Sequence, residues 1–193
     1  MTESPLTRQY TRANFSANVL FVDGDFVLKA KGHNVSEGGI LLRDVPHIPE
    51  INAVPLLFML PELKYLGDLN FQETTQFYSS LQGKSSRLWQ VVKVKSRLVR
   101  SFHKDALAMG ALSKHIAYEF VAFQQPARDL ALIQAYVALF TKNIVYLLSL
   151  FEHAHKSVEQ LEHLKCVAKI LGYDHQMKIS LLRAKVLHDY QSL

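Results

Sequence analysis

Residues 8–39 read RQYTRANFSANVLFVDGDFVLKAKGHNVSEGG, and the order of features in this stretch decides how the rest of the chain is read. Arg8 and Arg12 stand four apart as R-x-x-x-R. Two such side chains offer two planar forks of donors to phosphate oxygens and guanine edges. Asn34, Ser36 and Gly39 follow as N-x-S-x-x-G. An amide, a hydroxyl, and a glycine with either a positive φ or room for a ligand close to its backbone make a small polar cradle. Between the motifs lie two strand-like runs, Phe15 to Val22 and Phe26 to Lys31, on either side of Asp23-Gly24-Asp25. The Asp-Gly step is a hairpin signal, because both turn positions tolerate positive φ. The stretch therefore describes a meander that carries a site for an anionic, guanine-bearing ligand.

Further strands extend the meander. Gly39 to Arg43 reads as a third strand, Pro46 to Pro49 breaks the pattern, and Val54 to Leu60 supplies a fourth. Residues 72–87 are polar and Ser-rich and read as a loop. Leu88 to Phe102 is the longest strand candidate, alternating Val92, Val94 and Leu98 with Lys93, Lys95 and Arg97. Ile116 to Phe123 makes the last. Several short antiparallel strands with turn signals between them argue for a barrel.

At Gln125-Pro126 the period changes to that of a helix, with Pro126 suited to its first turn and Asp129 to the positive end of its dipole. A heptad pattern then runs for about five repeats. One seam position holds Leu130, Val137, Ile144, Phe151 and Val158, the other Ile133, Phe140, Leu147, Ala154 and Leu161. Ala135, Lys142, Ser149, Lys156 and His163 form the outer edge, while Tyr136, Leu148, Leu150 and Leu164 widen the seam. That width calls for a bundle of three or more helices, from this chain or from copies of it. Leu130 to Phe151 is long enough to span a bilayer. Lys142 at its middle would cost about 2.5 to 3.5 kcal/mol there, so no transmembrane segment is expected. Gly172 marks a break, Asp174 reads as an N-cap, and a final helix carries Ile179, Leu182, Val186 and Tyr190.

With both motifs and their strand context in place, roughly residues 5 to 125 resemble the PilZ family of bacterial receptors for the second messenger cyclic di-GMP. In that family the first motif lies on a segment before the first strand of a small β-barrel, and the second follows the second strand. The resemblance implies that Arg8 and Arg12 grip phosphates and guanines, while Asn34, Ser36 and Gly39 seat a guanine against the barrel. The ligand is often an intercalated pair of molecules. The expected architecture is α+β, with a PilZ-type barrel over residues 1–125 and a helical region over residues 126–193. The expected function is a non-enzymatic cyclic di-GMP receptor that signals through a partner, or through self-association, by way of residues 130–161. The alternative is a PilZ-like scaffold that acts through its helices without binding nucleotide. Family members act on motility, exopolysaccharide, pili or virulence, and the sequence does not choose among these.

Composition agrees with this reading. The chain has 193 residues and a net charge of +5, which favours anionic ligands. One cysteine, Cys166, allows no intrachain disulfide, and Met-Thr-Glu-Ser-Pro lacks the marks of a signal peptide, so a cytoplasmic location is expected. Lys84, Arg87, Lys93, Lys95, Arg97, Arg100 and Lys104 would suit a phosphate backbone but read better as solvated charge on a strand, so no nucleic acid is expected. Trp89, Phe102 and Tyr118 read as core rather than as base-stacking platforms. His153, His155 and His163 beside Glu152, Glu159 and Glu162 invite a metal; His155 and Glu159, four apart, could share an ion, but no further ligand with a recognised spacing and no H-E-x-x-H appears, so no metal or cofactor is expected. Ser36 has no evident base partner and neither a nucleophile elbow nor a P-loop is present, so no catalytic residues are expected.

Overall fold

Alternating burial along the strands rolls the first two thirds of the chain into a tube with an apolar bore. The computed structural model describes residues 9–46, 49, 53–82, 89–105, 112–153 and 157–193. Arg8, Lys84, Arg87, Ala154, His155 and Lys156, named above, lie outside the described residues. The strands are β1 (Ala13–Asn14), β2 (Asn18–Asp23), β3 (Phe26–Ser36), β4 (Gly39–Arg43), β5 (Ala53–Pro61), β6 (Trp89–Asp105) and β7 (Leu112–Phe123). Six of them, in the order β3, β2, β5, β6, β7, β4 and back to β3, form a closed antiparallel barrel, and β1 adds to the end of β3 as a seventh. Closure removes free edges. Val19, Phe21, Leu56, Phe58, Val94 and Ile116 fill the bore, each no more than 3% exposed.

Three local details differ from the sequence reading. The run from Phe15 to Val22 is interrupted between β1 and β2, where the Phe15 ring lies so close to Gly32 that a Cβ there would come within 2.0 Å of it. In the β2–β3 hairpin Asp23 pairs with Phe26, so the loop is Gly24-Asp25 and positive φ falls on Gly24 alone, at 59°. Glycine first is the pattern of a II′ turn. The stretch 72–87, read as a loop, begins with helix α1 (Phe71–Gln82). Asn70 Oδ1 accepts from the Glu73 amide at 3.0 Å, and Glu73 Oε2 accepts from the Asn70 amide at 2.9 Å, a reciprocal cap. Thr74 and Phe77 form its buried side.

The heptad run is two helices rather than one. Helix α2 (Pro126–Phe151) ends before α3 (Val158–Ile170), which starts at its own N-cap, the Ser157 hydroxyl accepting from the Gln160 amide at 3.1 Å. Seam residues Ile133, Val137, Phe140, Ile144, Leu147 and Phe151 are buried within this chain, against the barrel and the later helices. Val158, the next seam position, is 79% exposed. The seam is thus filled intramolecularly, and its apolar pattern no longer requires a second copy. Helix α2 is long and apolar enough to cross a membrane by length and composition, but its apolar stripe is turned into the core.

Polar chemistry locks α2 in place. Asn143 is fully buried; its Oδ1 accepts from the Leu66 amide and its Nδ2 donates to the Lys64 carbonyl, both at 2.8 Å. At the end of α3, Gly172 adopts φ 78°, and the amides of Gly172 and Tyr173 return to the carbonyls of Lys169 and Ala168 in a Schellman motif. Asp174 caps only a turn, accepting from the Gln176 amide; α4 (Ile179–Gln191) begins after Lys178. Leu182 and Val186 fold α4 back onto α2. Strand β6 lies between β5 and β7, so Lys93, Lys95 and Arg97 project from an interior strand, not an edge.

Candidate functional site

The second motif spans the β3–β4 turn. Asn34 and Ser36 lie at the end of β3, and Gly39 is the first residue of β4. Because side chains alternate, Val35 is buried in the bore while Asn34 and Ser36 share the opposite face. A register shift between Gly32 and Asn34 aims that face; bulges commonly re-aim side chains beside sites. The Ser36 hydroxyl donates to the Gly39 carbonyl at 3.3 Å, and the Phe120 amide donates to the Gly38 carbonyl at 2.9 Å, tying the turn to β7.

Gly39 has a different reason from the one the sequence suggested. It lacks a positive φ, and a Cβ there would stand 2.3 Å from the Tyr118 carbonyl oxygen. Its missing side chain serves the close approach of β4 and β7. Gly38 is the residue with an aromatic neighbour: a Cβ there would meet the Tyr10 ring at 2.6 Å.

The first motif arrives from the other side. Arg12 precedes β1, and the segment from Gln9 to Arg12 runs over the motif turn. A cleft of ≈ 340 Å³ results, lined by Arg12, Asn34, Ser36 and Gly39 together with Tyr10, Tyr118 and Glu119 among others. Four of the five expected site residues therefore meet in one place; Arg8 lies outside the described residues. Glu119 beside the cleft is held by the Arg97 guanidinium, which offsets its charge. The Tyr118 ring is buried, and its phenol is pushed up from its ordinary value by that burial and then by the nearby Asp23 carboxylate, so it stays protonated.

Tyr10, Gly38 and Glu119 were not singled out from the sequence. Tyr10 lies inside the first motif and Gly38 inside the second, so their places in x positions were visible. The role of Glu119 depends on the pairing of Gly39 with Glu119 across β4 and β7, which no local pattern reports.

The motif turn and the segment from Thr11 to Asn14 are tied to the helical region. Gln134 of α2 donates to Glu37 in the motif turn at 2.9 Å. The Tyr136 hydroxyl donates to the Asn14 carbonyl at 2.7 Å, and the Thr11 hydroxyl to the Leu193 carbonyl at 3.3 Å. The segment bearing Arg12 is thus clasped between barrel and helices. Among the described residues no cluster of three or more His, Cys, Asp or Glu side chains could hold a metal ion.

No protein-family model matches the chain, and no curated protein does. Among solved structures, the inhibitor of motility MotI/DgrA of Bacillus subtilis aligns at 15% identity and TM-score 0.46, over 68% of this chain and 50% of its own. The chain therefore spans half the length of that protein. The PilZ domain of YcgR from Escherichia coli with c-di-GMP aligns at 10% identity and TM-score 0.45, over 78% of this chain and 98% of its own. PlzA of Borreliella burgdorferi in complex with c-di-GMP aligns at 9% identity and TM-score 0.37, over 63% and 45%. The barrel closed from six antiparallel strands and followed by helices agrees with the α+β architecture expected from the sequence.

Proposed function

We propose that this chain is a non-enzymatic receptor for cyclic di-GMP. The observation that carries the reading is the single cleft in which Arg12 converges with Asn34, Ser36 and Gly39 from a distant part of the chain. In this reading the guanidinium of Arg12, with that of Arg8 beside it in sequence, donates to phosphate oxygens and to the O6 and N7 acceptors of guanine. The Asn34 amide offers both a donor and an acceptor to a guanine edge, and Ser36 keeps lone pairs free to accept because its proton is directed to Gly39. Tyr10, 41% exposed, presents a ring face on which a base can stack.

The signal leaves through the clasp. Drawing Arg12 onto a ligand shifts the segment between Tyr10 and Asn14, whose backbone and side chains hold Leu193 and Tyr136. The helical region then presents a changed surface to a partner or to another copy, in the compartment where the messenger is made. Competition binding tests the reading: unlabelled cyclic di-GMP should displace a fluorescent analogue from the protein, GMP should not, and Asn34→Ala should weaken binding about tenfold, the worth of one well-placed polar contact. A folded protein that binds none of the analogue would favour the scaffold alternative.

A further inference from the structure

Half-way round the barrel from the cleft, the outer wall carries an apolar strip between two rails of lysine. The register is continuous across four strands: Lys29 of β3 faces Leu20 of β2, Leu20 faces Leu57 of β5, and Leu57 faces Lys93 of β6. One step towards the β2–β3 hairpin Pro55 pairs with Lys95, and one step the other way Lys31 pairs with Asn18, so the two rails overlap at Lys29 and Lys93 and run on in opposite directions. Each rail thus holds two lysines two residues apart on one face, all four exposed. Lys31 has Asp44 at 3.8 Å, whereas Lys29, Lys93 and Lys95 have no ion-pair partner among the described residues. Val22, Val27 and Met59 extend the apolar strip and are themselves exposed.

The strip is hollow. Two adjoining grooves of ≈ 560 and ≈ 540 Å³ share Leu20 and Leu57 as their common wall. Three strand spacings separate the rails, about 14 Å between backbones. An α-helix with its side chains is about 10–12 Å across, so one helix fits between the rails with an apolar stripe on Leu20 and Leu57 and carboxylates on both flanks. A second copy of this chain is disfavoured, because the face would set lysine against lysine on a protein of net charge +5.

We propose that this lysine-railed groove docks an acidic amphipathic helix of a protein partner. Burial of the strip supplies affinity and the rails supply sign and register. The site is separate from the cleft and stands whether or not the cleft takes a nucleotide.

The test uses the full chain and two fluorescein-labelled helical peptides with the same leucine stripe, one flanked by glutamates and one by lysines. Anisotropy titration should show saturable binding of the glutamate peptide only. Lys29→Glu/Lys93→Glu, both at exposed positions, should keep the wild-type thermal midpoint, weaken the glutamate peptide about tenfold and gain the lysine peptide. Vesicles with 30% anionic lipid, titrated in parallel, should leave the protein unbound. No saturable binding by folded wild type, equal binding of both peptides, indifference to the charge reversal, or preferential capture by the vesicles overturns the proposal.

Discussion

Replacing Asn143 by alanine attacks the contact on which the placement of α2 depends. Its side-chain amide holds two backbone groups of the segment after β5, the Leu66 amide and the Lys64 carbonyl, each at 2.8 Å. Alanine leaves both without a partner inside the fold, where each stranded group costs about 1–3 kcal/mol. Together they amount to about 2–6 kcal/mol, a large share of the 5–15 kcal/mol typical of a folded domain. For a chain of this size, at about 2–4 °C per kcal/mol, that corresponds to a fall of roughly 4–24 °C in melting temperature. The assay is urea and thermal unfolding followed by circular dichroism, with Lys142→Ala as the control, since Lys142 is the exposed neighbour and surface changes usually stay within about 0.5 kcal/mol. Equal midpoints for the two variants would refute the packing described for α2, because a helix whose polar face lay outside the core would tolerate both.

Other perturbations separate the roles of neighbouring residues. Gly39→Ala drives a Cβ into the Tyr118 carbonyl and should lower the unfolding midpoint, while Gly38→Ala meets only the movable Tyr10 ring and should leave the midpoint near wild type but reduce nucleotide affinity. His163 is held below its ordinary pKa by burial, against the opposing pull of Glu159, with its Nε2 on the Thr74 hydroxyl at 3.2 Å. A depressed folded pKa means that the unfolded chain binds the proton more readily, so stability is full above about pH 6.5 and falls as the pH drops below it; denaturation at pH 7.5 and 5 should show a smaller loss for His163→Gln than for wild type.

Most of the barrel was legible because a half-buried strand writes its two faces into a two-residue alternation, as in Val92, Lys93, Val94 and Lys95. Closure was legible only as a class, since the return of β4 to both β3 and β7 depends on pairings far apart in sequence. Helix α1 was hidden by its Gln, Ser and Thr content, although Asn70 and Glu73 carried the cap that starts it. The heptads misled in one respect. Phe151 and Val158 keep the seam spacing across a turn, so the periodicity runs on where the helix does not, and the start signal at Ser157 and Gln160 was the better guide. For the site, residue types and their order pointed to the cleft before any geometry was known. What they could not report was the clasp, because Gln134, Tyr136 and Leu193 approach Glu37, Asn14 and Thr11 only through packing of the helices.

Calorimetric titration with cyclic di-GMP, wild type beside the Arg8→Ala/Arg12→Ala double variant, bears most directly on the central claim. A cyclic di-GMP receptor that uses these arginines should show saturable binding as wild type and none as an equally folded double variant. Undiminished binding by the variant, or no heat from the folded wild type, would contradict it.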